Sequence, residues 1–304
     1  MIQVGDLALV PLGFLFKLLS GNKVFSMSHG KDTYFNNTLY QYFMIKFAKK
    51  LDGIMCVSNF LRRSLLSKGL NPERVFVINN GINPFDYIGI YDRKIIKADI
   101  GFKYNIDLSN KEVILSVSRL VKKKGISKFV KNIFLNIVES VPNVVLLLVG
   151  KDTGKETKKE KADIINFEKV NNLKKRTFFL GNIKNRELLR QIYSISDMLI
   201  MPNIAIEGDS EGFGIVALEA SMNKVPVVAF DVDGVSDAVK NGENGLLIKE
   251  GDNEGFAEAV KGLFENEKRR TELGARARKF VQQSYDWDIL IDKYIEVLRK
   301  VQRA

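Results

Sequence analysis

The chain has 304 residues, a length for about two domains, and its 45% apolar and 27% charged residues match an ordinary globular protein. Lysine and arginine number 47 against 36 aspartate and glutamate, a formal charge of +11; that sign suits phosphorylated ligands, anionic lipid or nucleic acid without choosing among them, and a Lys- and Asn-rich composition also gives it by drift. One cysteine, Cys56, and one histidine, His29, exclude an intramolecular disulfide and leave a Cys/His zinc site, with its three or four ligands, unsupported.

In chain order, Leu7–Leu19 is the longest apolar stretch. Pro11, Gly13 and Lys17 interrupt it, and it falls short of the ~20 residues of a membrane span. It lacks the basic start and the cleavage site of a signal peptide. It reads as a core helix or strand–helix edge, with a surface anchor as the less favoured option. The expected location is cytoplasmic, with peripheral attachment to the inner membrane face kept open. Strands are expected at Lys23–Ser28, Gly53–Ser58, Val75–Asn79, Val113–Val117, Val144–Val149, Thr177–Leu180, Met198–Met201 and Val227–Phe230. Their apolar runs lack polar alternation, as in parallel strands covered on both faces. Helical patterns at Asn59–Lys68, Ser127–Ser140 and Arg186–Ile195 alternate with them, which gives an α/β fold with parallel sheets. Cys56 lies in one of these strands and reads as core packing. Asn79–Pro84 is a strong turn signal, and the interdomain linker is placed over Asn80–Asn110. The Lys-rich run Lys151–Lys175 reads as solvated surface; Phe167 is its only aromatic residue, so it lacks the stacking platforms of a nucleic-acid module. Trp287–Val301 has the spacing of an amphipathic helix that packs on something. The expected division is a partial first domain at 1–95, a second at 96–284 and a closing helix at 285–304. About three strands precede residue 80, fewer than a doubly wound domain usually holds. The first domain therefore reads as reduced, as missing an N-terminal piece, or as completed by a partner chain.

Two segments carry chemistry. Glu207–Ala220 follows an apolar strand and enters a helical pattern through two glycines, Gly212 and Gly214. A glycine loop opening a helix aims free N–H groups at one point, which suits phosphate. Glu211 and Glu219 bracket it, up to ~12 Å apart along a helix, wider than the ~5–9.5 Å of paired glycosidase carboxylates. They suit the two ends of an extended phosphorylated ligand; a glycine loop with surface glutamates is the competing reading. In Ser116–Gly125, Arg119 and Lys124 follow a strand, where two cations neutralise a departing diphosphate. Lys122 and Lys123 read as solvated.

Together these segments resemble glycosyltransferase family 4, of GT-B architecture. The resemblance rests on Ser118-Arg119-Leu120 with Lys124-Gly125, and on Glu211 and Glu219 within E-G-F-G-I-V-A-L-E-A. Phe179-Leu180-Gly181, Pro226–Ala229, Asn241–Ile248, His29-Gly30, Asn80-Gly81-Ile82 and Tyr285-Asp286-Trp287 support it. It covers the chain from about residue 15 onward. The resemblance implies two Rossmann-like, doubly wound domains facing a cleft, the N-terminal one truncated here, and a retaining, metal-independent sugar transfer. Arg119 and Lys124 are then expected at the donor diphosphate, Glu211 at the donor sugar and Glu219 at the ribose. The amides of Phe213, Gly214, Ile215 and Val216 are expected at the distal phosphate. Gly150, Asn182 and Ile183 would border the base, with His29 and Gly30 across the cleft. No cofactor is expected. The substrates implied are a UDP- or GDP-sugar and a lipid-linked, saccharide or cell-envelope glycan acceptor, with an anionic membrane surface as a further partner and no nucleic acid. A non-catalytic or split subunit is the alternative. The chain departs from the family where G-G-x-x-E is common: Asp233-Gly234-Val235-Ser236-Asp237 alters one glycine and shortens the acid. Asn83 stands where aspartate is common.

Overall fold

The structure is a computed structural model that describes residues 1–151, 153–173 and 176–303. Asp152, Lys174 and Lys175 of the Lys-rich run, and Ala304 of the last segment, lie outside the described residues. Among the described residues ten strands occur in the order β1 (Ile2–Val4), β2 (Val24–Ser28), β3 (Gly53–Cys56), β4 (Val75–Val77), β5 (Glu112–Val117), β6 (Val144–Val149), β7 (Thr177–Gly181), β8 (Met198–Met201), β9 (Val227–Asp231) and β10 (Gly245–Lys249). The helices are α1 (Val10–Ser20), α2 (Lys31–Tyr34), α3 (Thr38–Ala48), α4 (Asn59–Ser67), α5 (Arg93–Tyr104), α6 (Ile126–Phe129), α7 (Leu135–Ser140), α8 (Lys155–Val170), α9 (Arg186–Ile195), α10 (Ile215–Met222), α11 (Val235–Ala238), α12 (Asn253–Glu265), α13 (Glu267–Ser284) and α14 (Trp287–Arg303).

β1 to β4 form one parallel sheet in sequence order, and the other six strands form a second in the order β10-β9-β8-β5-β6-β7, also parallel. The second order is that of a doubly wound Rossmann sheet. All eight expected strands are present. Two were not foreseen: β1 is three residues long, too short for an apolar run to stand out, and β10 lies inside a segment read only as a motif. The expected single helix over Ser127–Ser140 is instead α6 and α7 joined through a π-helical turn, Val130–Phe134. The linker zone holds α5, capped by Asp92 through the amides of Lys94 and Ile95 at 2.8 and 3.2 Å.

The Leu7–Leu19 stretch corrects the core-helix expectation. Val10 and Gly13 of α1 are buried against the first sheet, but Leu12, Leu15, Phe16, Leu18 and Leu19 are exposed. Cys56 is fully buried in β3, and burial pushes its thiol up to about 12. In the Lys-rich run, α8 buries Thr157, Ile164 and Glu168. The chain passes between the two sheets twice: Ile82 N–H donates to the Tyr285 carbonyl at 2.8 Å, and Trp287 N–H to the Ile82 carbonyl at 3.2 Å. After the second passage α14 lays Val297 and Val301 on Phe25, Met55 and Ile78 of the first half. Each buried valine stabilises that docking by about 1.5–3 kcal/mol.

Candidate functional site

The order of the second sheet decides where its ligand site lies. The chain leaves β5 toward β6 on one side and resumes through β8 on the other. Ligands of such sheets bind beyond the carboxyl ends of the strands at that reversal. The loop after β5 and the loop after β8 are therefore neighbours, and the Ile204 N–H donates to the Lys123 carbonyl at 3.0 Å. Gly125 lies at φ +67°, and a β-carbon there would stand 1.8 Å from the Pro202 oxygen. Glycine is required twice over, by backbone angle and by space.

These loops bring Lys124 to Glu211. The Lys124 ammonium donates to Glu211 Oε2, and Asn203 Nδ2 donates to the same oxygen at 3.2 Å. Lys123 corrects the solvated reading: its side chain is only 11% exposed, and Nζ donates to Asp209 Oδ1 at 2.7 Å and to the Ser210 carbonyl at 3.1 Å. Its charge thus anchors the acidic loop. Lys122 is exposed as expected, and so is Arg119 at the start of the loop.

The backbone around Glu211 is held from β9. Glu211 N–H donates to Asp233 Oδ2 at 2.9 Å, and Gly234 N–H to the Glu211 carbonyl at 2.9 Å. Asp233 adopts φ +53°, a conformation aspartate tolerates where a glycine is more usual. Burial raises the Asp233 carboxyl above its ordinary value, the Glu211 charge adds to this, and the Glu211 N–H opposes it. Gly234 must stay bare, since a β-carbon would stand 2.3 Å from the Gly212 oxygen.

Phe213 is buried with its ring centroid 5.9 Å from that of Tyr285. Its backbone, with Gly214, leads into α10, which has no side-chain cap among the described residues. The first-turn amides of Ile215 and Val216 have no intrahelical acceptor, and the helix dipole adds positive potential there. At the ends of the neighbouring strands, Gly150 N–H donates to the Gly181 carbonyl at 2.9 Å. A β-carbon on Gly150 would stand 1.8 Å from the Ser118 oxygen. Asn182 and Ile183 follow directly, Asn182 exposed and Ile183 half-buried.

Glu219 lies farther along α10 than its uncapped start. It lines a cavity of about 390 Å³ with Tyr87, Arg186, Arg190, Tyr193, Ile215 and Trp287, among others. None of Arg119, Lys124, Glu211 or His29 borders that cavity. The Tyr193 hydroxyl donates to Glu219 Oε2 at 2.9 Å. Burial raises the Glu219 carboxyl, with the Tyr193 bond and the Arg186 charge opposing it.

From the first sheet, His29-Gly30 at the end of β2 abuts the glycine loop. A β-carbon on Gly212 would stand 2.0 Å from the His29 oxygen, and one on Gly30 would stand 2.9 Å from the Gly212 α-carbon. The turn is fixed by Asp32, whose carboxylate accepts from the amides of His29, Gly30, Thr33 and Leu7. The imidazole is exposed, with Nε2 3.2 Å from the Gly5 carbonyl.

Asp237 makes a second bridge between the halves. Its carboxylate accepts from Asn59 N–H and Asn59 Nδ2, each at 2.8 Å, and from Phe60 N–H at 3.2 Å. The shortened acid therefore holds the first turn of α4. Asn203 and Tyr193 were not singled out in the sequence. Asn203 stands eight residues before Glu211 with no motif around it, and Tyr193 follows ordinary core spacing on α9.

Two parallel sheets of this order, with a cation–carboxylate cluster and a glycine-opened helix at their cleft, define a GT-B α/β protein of two Rossmann-like halves. The family model for glycosyl transferases group 1 matches residues 100–280, and that for Glycosyltransferase Family 4 matches residues 7–84. The chain belongs to the glycosyl transferases group 1 family. It is 26% identical, over 86% of its length, to the capsular polysaccharide biosynthesis glycosyltransferase CapM of Staphylococcus aureus, covering 67% of that protein. It is also 26% identical, over 82% of its length, to alpha-maltose-1-phosphate synthase of Mycolicibacterium smegmatis, covering 63% of that protein. The chain thus spans about two thirds of the length of these relatives. Its fold matches Anabaena HepE, solved in complex with UDP, at a TM-score of 0.84 and 19% identity, over 98% of this chain and 78% of the other.

Proposed function

We propose that the chain binds a nucleoside diphosphate sugar in the cleft and transfers the sugar, a hexose or N-acetylhexosamine, to a lipid-linked, saccharide or cell-envelope glycan acceptor with retention of configuration. The observation that carries this is the meeting of Lys124, Asn203 and Glu211 with the uncapped start of α10, directly against His29-Gly30. CapM is named for capsular polysaccharide biosynthesis, and HepE is solved with UDP and with UDP-glucose, which supports a nucleotide-sugar donor. In this reading Lys124 and Arg119 neutralise the diphosphate as it leaves, and the amides of Phe213, Gly214, Ile215 and Val216 hold its distal phosphate. Glu211 orients the donor sugar, Glu219 meets the ribose, and Gly150, Asn182 and Ile183 border the base. The bond from the anomeric carbon to the phosphate oxygen breaks as the acceptor oxygen bonds to that carbon on the same face. The acceptor proton passes to the departing phosphate. Protein cations and the helix start supply the charge stabilisation, so no metal is required.

We further propose the division 1–95, 96–284 and 285–304, and a cytoplasmic site of action at the inner membrane face. A split subunit that binds donor and awaits a partner chain is the second reading. Thermal shift with a panel of UDP-, GDP- and ADP-sugars, followed by turnover assays, tests both. Stabilisation by one donor with turnover supports transfer, and stabilisation without turnover supports the split subunit. No shift with any donor refutes both.

A further inference from the structure

Helix α14 carries two apolar faces, and the fold covers one of them. Leu290, Val297 and Val301 are buried, the two valines against the first sheet. Trp287, Ile291 and Ile295 recur at every fourth position and are 43%, 48% and 39% exposed. At 100° per residue they fall, with half-buried Leu298, within an arc of about 80°, centred about 100° from the buried face. They form a second stripe beside the docked one, of the kind that marks an interaction surface. At its start the stripe meets the linker. Trp287 lines the cavity with Asn83, Asp86 and Tyr87, and Phe85 at that turn is also exposed.

Charge runs along one side of the stripe in a fixed order. Asp288, Asp292, Arg299 and Arg303 fall within about 60° of one another on that side. The acids stand in the first half of the helix and the arginines in the second. All four are exposed. The ion pair on α14 is Glu296 with Lys300, at 2.7 Å, and the four make none among the described residues. Asp288 and Asp292 are four residues apart, as are Arg299 and Arg303, a spacing at which like charges repel along a helix. The dipole of α14 itself suits the outer two, Asp288 and Arg303. That effect falls off within the first and last turns, and Asp292 and Arg299 lie beyond them. A flank of both signs does not match a partner of one sign. It matches the same helix run backwards.

We propose that two copies of this chain associate through α14, with the two helices antiparallel about a twofold axis. An axis crossing the helix between Ile295 and Glu296 sets Asp288 against the second copy's arginine at 303. The same axis sets Asp292 against the arginine at 299. Both pairs therefore call for one axis, and it brings the two Ile295 side chains together at the centre of the contact. Such an interface is isologous and closes at two copies. A parallel pairing would set acid on acid and arginine on arginine. The inference stands apart from the transferase reading, because assembly is measured without substrate.

The test is analytical ultracentrifugation of the full chain from about 5 to about 200 μM, a range that suits a small interface. About 0.15 M salt screens the +11 charge of each copy. Wild type is expected to pass from monomer to dimer within that range. Ile291→Glu with Ile295→Glu should leave monomer alone. Asp288→Arg with Asp292→Arg should weaken the dimer at least tenfold, and Arg299→Asp with Arg303→Asp should do the same. All four charge substitutions in one chain restore opposite signs across the axis and should recover the dimer. These four positions are exposed, so the charge variants keep the proposal testable if the apolar variant does not fold; circular dichroism checks the helix content of each. A monomer throughout the range would overturn the proposal, as would a dimer that the Ile291→Glu and Ile295→Glu chain keeps. So would a fourfold variant that is helical and stays monomeric. Charge pairs that lower thermal stability without changing the measured mass would show that these residues serve their own helix, and would overturn it too.

Discussion

Asp237 offers the sharpest test of how the two halves are held. Its carboxylate, 6% exposed, accepts three hydrogen bonds from the start of α4, two at 2.8 Å and one at 3.2 Å. Loss of a helix cap costs about 0.5–2 kcal/mol, and a bond to a charged acceptor is worth about 1.5–3 kcal/mol. The three bonds share one carboxylate, and Ser58 Oγ still accepts from Leu61 N–H at 3.2 Å, so these values do not add. Asp237→Ala should therefore cost about 2–3 kcal/mol, a fall of about 3–5 °C in Tm for a chain of this size. Asp237→Asn retains one acceptor oxygen and should cost about half as much. Trp287 is the only tryptophan and sits where the chain returns between the halves, so its fluorescence in a urea titration reports the loss. The denaturation midpoint should fall with the slope unchanged. A double-mutant cycle with Asn59→Ala then isolates the coupling. If the two substitutions add with no coupling term, or if Asp237→Ala leaves the midpoint where it was, the bridge contributes nothing and the reasoning is wrong.

Lys124→Ala and Glu211→Ala should each lower transfer by about 10²–10³-fold, as loss of a group stabilising transition-state charge does, with the fold intact by circular dichroism; wild-type turnover in both would remove the site assignment. His29→Ala should reduce turnover while shifting stability by less than about 0.5 kcal/mol, because the ring is exposed, and an unfolded variant would show that the histidine is structural. Gly212→Ala places a β-carbon 2.0 Å from the His29 oxygen and should cost about 1–3 kcal/mol by overpacking, which calorimetry would register. Glu219 holds its proton more tightly in the folded chain than in the unfolded one. Stability should therefore fall as pH rises from the ordinary carboxylate range through its raised value, then level off. Glu219→Gln should flatten that slope, and an unchanged pH profile would assign the slope to other groups.

How much was legible in the sequence depended on whether a signal was local. The eight longer strands stood out because burial on both faces leaves Val, Ile and Leu with no polar interruption. β1 did not, because three residues carry no period. Leu7–Leu19 reads as core, and only Leu7, Val10 and Gly13 of it are buried: composition records that a stretch avoids water, but not which of its residues protein covers. The pairing of Lys124 with Glu211 followed from loops at neighbouring strand ends, and the strand order that makes them neighbours is a pattern sequence alone can suggest. Lys123 looked like its neighbours in a run of three lysines. Only the approach of Asp209, 86 residues away in the chain, separates the anchored lysine from the solvated one. Asp237 read as a shortened acid, since its partner Asn59 lies 178 residues upstream.

At the glycine loop the two halves meet backbone against backbone, with no room for a β-carbon on Gly30 or Gly212. Directed bonds between the halves come from Asp237 and from the chain passages at Ile82 and Tyr285. Any side chain at Gly30 or Gly212 would wedge the halves apart, so at that point the width of the cleft is set by two missing β-carbons.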